Sequence, residues 1–460
     1  MARTHTHYLC QGCGYQTPRW MGRCPDCGQW GSLLEERVAA DRRGAARPGP
    51  SNPREPPTPI TAVDTRALHR VSCGLAELDR VLGGGLVPGS LVLISGDPGI
   101  GKSTLLLQAS MQIAKGGGVV LYVSAEESPE QIRSRAARLG TLSDHLLLLA
   151  ETSLEAIVDQ AERLRPQALV IDSIQTIASE ELESPPGSLS QVREVAVRLM
   201  TLAKAKGVTT LVIGHITKDG SIAGPKALEH LVDAVVFMEG EEHQVYRLLR
   251  TRKNRFGPTP EFGVLEMTEG GLRELANPSE VFLSQRPSGA SGSVVIPIME
   301  GSRPLLVELQ ALVAVPGAPI PRRVFNGLDT GRGALLLAVL EKRLGLHLSA
   351  CDVYVNVVGG VKVEETAADL GLAAAVISSA KNLPLDPGLT VFGEIGLAGE
   401  VRAVPMAEQR LQEAARLGLS HCLLPQHNLD RAQSSFSSLR VTGLRNLEDL
   451  ARELEPRAGR

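Results

Sequence analysis

Between roughly residues 63 and 275 the chain alternates two patterns. Short continuous apolar runs, "SLVLISG" (Ser90–Gly96), "GVVLYVSAE" (Gly118–Glu126), "ALVIDS" (Ala168–Ser173) and "TTLVIGH" (Thr209–His215), are separated by longer stretches such as "KSTLLLQASMQIAKG" and "LSQVREVAVRLMTLAKAKG". Unbroken apolar runs predict strands buried on both faces, and the amphipathic stretches predict the helices that cover a parallel sheet. The pattern loosens over "ANPSEVFLSQRPSGASG" (Ala276–Gly292), which reads as a loop-rich boundary. Beyond it, "GSVVIPIMEGSRPLLVELQALV" predicts two alternating strands, and "ALLLAVLEKRLG", "TAADLGLAAAVISSAKN" and "MAEQRLQEAARLG" predict helices, so a second α/β domain is expected over 290–460. At the other end, residues 1–35 form a cysteine-rich block, and 36–62 are Pro, Arg and Ala with almost nothing to bury, the composition of a flexible linker. The expected domains are therefore 1–35, 63–275 and 290–460.

Composition narrows the picture. With 43% hydrophobic residues over 460 positions the chain can bury its cores without staples. A net charge of -3 means that any nucleic-acid contact must come from local basic patches. No apolar run reaches the roughly 18 residues that span a bilayer, and the start "MARTHTHYLCQGCG" lacks the apolar core of a secretory signal. No membrane association and a cytoplasmic location are expected. Four of the seven cysteines lie in the first 27 residues, which is the clustering of a metal site rather than of a disulfide framework.

Those four, Cys10, Cys13, Cys24 and Cys27, form C-x2-C-x10-C-x2-C, two knuckles each followed by glycine. Four thiolates so spaced can close a tetrahedral zinc site and leave no open position for catalysis. The ribbon could be a structural staple or a binding module. Both tryptophans of the chain, Trp20 and Trp30, sit here with Arg19 and Arg23. That is a stacking-plus-cation arrangement suited to single strands, or else the ribbon's own small core.

The stretch "GDPGIGKST", comprising Gly96, Asp97, Pro98, Gly99, Ile100, Gly101, Lys102, Ser103 and Thr104, fits G-x-x-x-x-G-K-[ST] between a predicted strand and a predicted helix. In that setting backbone amides cradle the phosphates of ATP, Lys102 reaches the β/γ oxygens and Ser103 binds magnesium. Asp172 ends an apolar strand where a carboxylate would hold magnesium through water, although it could also cap a loop. Glu126 and Glu127 close another strand and could orient and deprotonate the attacking water, or could belong to a solvated loop.

Through "CGLAELDRVLGGGLVPGSLVLISGDPGIGKST" (Cys73–Thr104) the chain resembles the RecA/KaiC/DnaB branch of P-loop ATPases. With the four-cysteine block and "KNRFG" (Lys253–Gly257), the resemblance narrows to the RadA (Sms) family of bacterial DNA-repair ATPases. It implies an α/β fold: a RecA-like P-loop core with a small N-terminal C4 zinc ribbon and a C-terminal Lon-protease-like domain. It also implies Glu126 as the catalytic glutamate, Asp172 as the Walker B acid, and His215 as a γ-phosphate sensor. By the same resemblance a DNA-contacting loop, "TKDGSIAGPKALEH", follows it, with Lys218 and Lys226 as candidate phosphate contacts.

From about residue 290 the chain is similar to the proteolytic domain of Lon, most visibly over Val355–Gly418. Lon uses a serine activated by a lysine; here those positions fall on Ala367 and Glu408, so peptidase activity is not expected. Oligomerisation and DNA binding are the roles left, with Arg322, Arg323, Arg332, Lys342 and Arg343 supplying positive charge, although scattered arginines also suit a solvated face.

"RTRKNRFGP" (Arg250–Pro258) crowds four cations together. The plainer reading is an edge strand guarded by charge. Beside an ATPase core, Lys253 and Arg255 could instead reach a neighbouring subunit's γ-phosphate as catalytic fingers, or grip a nucleic-acid backbone, with Phe256 and Gly257 forming the turn that aims them. The resemblance implies a motif that couples ATP to work on DNA.

The function so implied is a DNA-stimulated, helicase-like ATP hydrolase of recombinational repair, using ATP, Mg2+ and Zn2+. It would bind single-stranded and branched DNA beside a RecA-type recombinase, as a homo-oligomeric ring, a hexamer by the resemblance, driving branch migration and strand-exchange extension. The alternative is a nucleotide-regulated scaffold that assembles on recombination proteins without translocating.

Overall fold

A computed structural model describes residues 5–10, 15–26, 28–38, 59–62, 69–140, 142–215, 225–240, 245–259, 261–275, 277–284, 286, 289–317, 320–431 and 438–455. The chain divides into two compact units, Met1–Glu274 and Leu275–Arg460.

The first unit opens with a three-stranded antiparallel sheet in the order β2-β1-β3, from β1 (His5–Cys10), β2 (Gln16–Thr17) and β3 (Leu33–Val38). Cys10, Cys24 and Leu33 are buried together with Tyr8 and Met21 packed on them, the apolar cluster among the described residues of this small body.

Then follow α1 (Ala76–Val81), β4 (Leu91–Gly96), α2 (Lys102–Lys115), β5 (Val120–Ser124), α3 (Pro129–Arg138), β6 (Leu146–Ala150), α4 (Leu154–Leu164), β7 (Ala168–Asp172), α5 (Leu189–Lys206) and β8 (Thr209–His215). After them come α6 (Pro225–Leu231), β9 (Ala234–Glu239), β10 (Tyr246–Asn254), β11 (Phe262–Thr268) and β12 (Gly271–Glu274). The nine strands order as β12-β11-β10-β9-β4-β8-β7-β5-β6. Strands β4 to β9 are parallel, as the unbroken apolar runs predict, and β10 to β12 extend the sheet antiparallel. Strand β4 shows why its run is continuous: Val92 and Ile94 pack with Leu105 and Leu106 of α2, while Leu91 and Leu93 pack with Val195 and Leu199 of α5 on the opposite face. Ser128 caps α3 through a reciprocal pair with Gln131, followed by Pro129, and Ser188 caps α5.

The second unit begins with α7 (Pro278–Leu283), followed by β13 (Ser293–Glu300), β14 (Arg303–Ala314), β15 (Arg323–Asn326), α8 (Thr330–Leu344), β16 (Asp352–Val357), α9 (Asp369–Ala380), β17 (Leu389–Val391), β18 (Glu394–Ile395), β19 (Val401–Arg402), α10 (Ala407–Arg416), β20 (His421–Pro425), α11 (Gln426–Leu429), β21 (Arg440–Leu444) and α12 (Leu447–Leu454). Seven strands form a mixed sheet, β15-β16-β14-β13-β17-β20-β21, and β18 pairs with β19. The stretch read as a loop-rich boundary thus contains a helix. It is one and a half turns long, too short to show a period, yet Asn277-Pro278 starts it and buried Ser279 ties it down by accepting from Leu306 N and donating to Glu413.

Candidate active site

The chain's predicted nucleotide residues gather at one end of the first unit's sheet, in the crevice beyond the carboxyl ends of its parallel strands, the usual ligand position in such sheets. Gly96 ends β4 level with His215 at the end of β8, and Asp172 ends β7 level with Ser124 of β5. Between β4 and α2 the loop needs its glycines. Gly96 has φ 152°, and a Cβ there would lie 2.4 Å from the Met238 carbonyl oxygen; Gly101 has φ 114° and a Cβ there would meet Met267 at 2.7 Å. Gly99, with φ 77°, faces open space.

Lys102 starts α2 and is buried; its Nζ donates to the carbonyls of Gly96 at 2.9 Å and Asp97 at 2.8 Å. Burial brings its pKa down to about 8, against the opposing pull of Asp172, Asp97 and Glu126. Burial likewise raises Asp172, while hydrogen bonds from Tyr122 and Ser103 act in the other direction. The Tyr122 hydroxyl donates to Asp172 Oδ2 at 2.7 Å.

The two adjacent acids part company. Glu127 pairs with Arg135 of α3 and shares backbone and hydroxyl hydrogen bonds with Ser124. Glu126, though exposed, turns toward the ends of β7 and β8, accepting from Ser173 Oγ at 2.6 Å and lying 3.7 Å from His215 Nε2. Gln175 Nε2 donates to the His215 carbonyl at 3.3 Å. Burial lowers the His215 pKa, with the Lys102 charge second. His215 Nδ1 and Gln175 Oε1 are buried without a hydrogen-bond partner among the described residues. Unpaired polar atoms beside a lysine, a carboxylate pair and an open glycine loop fit a phosphate-bearing ligand with its cation, Ser103 and Asp172 being the donors that would hold magnesium.

Tyr122, Ser173 and Gln175 are not foreseen by the motifs, since they act through neighbours rather than on the ligand. Arg247, buried on β10, is another such residue: its Nε donates to the Ile100 carbonyl in the loop at 3.0 Å. Lys218 lies outside the described residues, and Lys226 is placed only through its backbone in α6.

The basic motif stands at the other end of the sheet. Strand β10 is paired on both sides, with β9 and β11, so the edge-strand reading is wrong; the sheet's edges are β12 and β6. Its cations are accommodated by partners instead. Arg250 meets Glu239 at 2.9 Å and lies 5.0 Å from the Phe262 ring centroid, and a register shift between Thr251 and Lys253 leaves Arg252 stacked 4.2 Å over Phe237. Lys253 Nζ donates to the Glu229 carbonyl at 2.5 Å, at the C-terminal end of α6. Arg255 reaches the buried Asp233 carboxylate at 3.3 Å, which also takes Lys204 at 2.7 Å. Asn254, level with Ala234 and through it with Val92, starts the turn, where its Oδ1 accepts from Phe256 N at 2.9 Å. Four residues of strand from Val92 to Gly96 is about 13 Å, so Lys253 and Arg255 do not reach their own chain's phosphate loop.

In the amino-terminal ribbon Cys10 and Cys24 are buried side by side, and Cys13 and Cys27 lie outside the described residues. Two buried thiols in so small a body fit a zinc site. Trp20 and Trp30 are 62% and 75% exposed, so they are not its core. In the second unit Ala367 is buried and Glu408 lies in the first turn of α10. Two residues on, the fully buried Arg410 makes a two-pronged pair with Glu365 at 2.7 and 2.6 Å. Arg332 pairs with Asp369, whereas Arg322 and Arg323 are exposed, as is Lys342. Arg343 Nη2 donates to the Leu397 carbonyl at 3.4 Å.

No described helix is long and apolar enough to cross a membrane.

Comparison with known proteins adds to this geometry. Residues 55–221 match the AAA domain family, 8–35 the rubredoxin metal binding domain, and 336–428 subunit ChlI of Mg-chelatase. The chain is 49% identical to "DNA repair protein RadA" of Halalkalibacterium halodurans, over 98% of each chain. It is 48% identical to the protein of that name in Bacillus subtilis, over 98% of this chain and 99% of that one. Among solved structures, a KaiC-like protein from Pyrococcus horikoshii is 23% identical, covers 45% of this chain and 99% of its own, and has a TM-score of 0.38.

Proposed function

This chain belongs to the RadA family of DNA repair proteins, and from that premise we propose a DNA-stimulated ATP hydrolase that drives branch migration and strand-exchange extension on recombination intermediates. The observation that carries the catalytic part is the placement of Glu126: one carboxylate held by Ser173 beside His215, while its neighbour is tied off by Arg135.

In this reading the loop amides and Lys102 hold the phosphates of ATP. Glu126 accepts a proton from water as its oxygen bonds to the γ-phosphorus, and the bond from that phosphorus to the β–γ bridging oxygen breaks, leaving ADP and phosphate. Magnesium, when bound by Ser103 and through water by Asp172, would neutralise charge developing on the β- and γ-oxygens. His215, next to Glu126, senses whether the γ-phosphate is present. Lys253 and Arg255 act in trans, on a neighbouring subunit's γ-phosphate in a ring, where a cation finger contributes several kcal/mol to the transition state; a hexamer is the proposed size. The ribbon holds zinc on Cys10, Cys13, Cys24 and Cys27, the second unit serves assembly without peptidase activity, and the partners are single-stranded and branched DNA and a RecA-type recombinase in the cytoplasm.

ATPase rate with and without single-stranded DNA tests this reading. A rise on adding DNA, lost in Lys102→Ala along with branch migration, is expected; a rate indifferent to DNA overturns the motor, and branch migration that survives in Lys102→Ala points to a scaffold.

A further inference from the structure

Both tryptophans of the chain lie in the ribbon, and both indoles project to solvent, Trp20 at 62% and Trp30 at 75% exposure. A body whose described buried apolar set is Cys10, Cys24 and Leu33 could have used them as core and does not. They converge on one backbone position: a Cβ on Gly22 would lie 3.7 Å from the Trp30 ring and 3.8 Å from the Trp20 ring. The mounting is stiff. Trp30 pairs with Arg23 across a short bridge beside Cys24, with Cys24 N donating to the Gln29 carbonyl at 2.9 Å and Gly31 N to the Gly22 carbonyl at 2.8 Å. Arg23 Nε is held by the Gly28 carbonyl at 2.8 Å, which sets its guanidinium 5.8 Å from the Trp30 ring centroid, and Arg19 is exposed one residue before Trp20.

We infer that this face is a stacking platform for single-stranded nucleic acid, with bases on Trp20 and Trp30 and backbone phosphate at Arg23 and Arg19. Charge complementarity selects that occupant: two arginines border the indoles, one of them already oriented, and every base offers a π-face. The inference rests on the proposed DNA-stimulated activity and gives it an entry surface on the ribbon.

Because the chain has only these two tryptophans, intrinsic tryptophan fluorescence of the full-length, zinc-loaded protein reports on this face alone. Oligo(dT) is the probe, and anisotropy of a labelled copy follows binding anywhere on the protein. Saturating oligo(dT) is expected to quench the fluorescence, Trp30→Ala to weaken binding about tenfold with zinc content unchanged, and Arg23→Ala to flatten its salt dependence. Binding by anisotropy without quenching overturns the platform and leaves the DNA-stimulated reading intact. Binding by neither readout removes both. Fluorescence that responds to a purified RecA-type recombinase and not to oligo(dT) also overturns it, in favour of a protein-docking face.

Discussion

The Tyr122 hydroxyl donates to Asp172 Oδ2 at 2.7 Å, inside the sheet and one strand over from the carboxylate it holds. Tyr122 is buried, and its own ionisation is pushed well up by that burial, with Asp172 adding to it, so it stays a donor at any working pH. The same carboxylate is also hydrogen-bonded by Ser103. Tyr122→Phe removes one hydrogen bond of about 1 kcal/mol from a buried carboxylate. The expected outcome is a several-fold rise in the Mg2+ concentration that half-saturates ATP hydrolysis, with nucleotide affinity in EDTA unchanged. Loss of affinity in EDTA as well would mean that Tyr122 supports the loop rather than the carboxylate.

Lys102 carries a pH signature. Its pKa of about 8 lies below the ordinary lysine value because the ammonium is desolvated, and bound phosphate, being negative, would raise it again. Binding is then expected to take up a proton at and above pH 8 and little below pH 7, with affinity falling as pH rises through 8. Calorimetry in buffers of different ionisation enthalpy measures this directly, and the uptake should vanish in Lys102→Ala. The stability contribution has the opposite sense. A lysine whose folded pKa is depressed is destabilising while charged, and that cost is relieved as pH rises above about 8 toward the unfolded value.

The neighbouring acids should separate cleanly. Glu126→Gln is expected to lower the hydrolysis rate at least a hundredfold, the scale of a lost general base, without loss of ATP binding. Glu127→Gln should stay within a few-fold of the parent rate, since its carboxylate is occupied by Arg135.

In the second unit, Arg410 is fully buried against Glu365. Removing one partner strands the other, so Arg410→Ala is expected to destabilise that unit by about 3–5 kcal/mol, and Arg410→Leu with Glu365→Leu by much less. Urea unfolding of the two variants makes the comparison.

Much of this was readable from residues alone. The phosphate loop, Asp172 and the Glu126-Glu127 pair are legible because strand, turn and helix follow one another in a few dozen residues. What sequence order conceals is neighbourhood. Nothing in "VVLYVSAEE" says that Tyr122 faces a carboxylate fifty residues away, and Glu126 cannot be told from Glu127 until Ser173 and Arg135 are in place. The basic motif misled for the same reason. Charge along a strand suggests an edge, but β10 lies between β9 and β11, and the phenylalanines that accept Arg250 and Arg252 come from those two neighbours. The parallel sheet follows from its apolar runs, whereas its antiparallel extension depends on hairpins that leave no such run. Exposure of Trp20 and Trp30 likewise appears only once the ribbon's turns are placed.

The most direct test of the account is complementation between two disabled subunits. Arg255 lies at the opposite end of the sheet from its own phosphate loop, so a subunit carrying Arg255→Ala still owns a working Glu126, and a Glu126→Gln subunit still offers a working finger. Mixing the two in the presence of single-stranded DNA and measuring ATP hydrolysis should restore activity above either variant alone, at interfaces where the intact halves meet. Mixtures that show only the sum of the two separate rates would contradict a site shared between subunits.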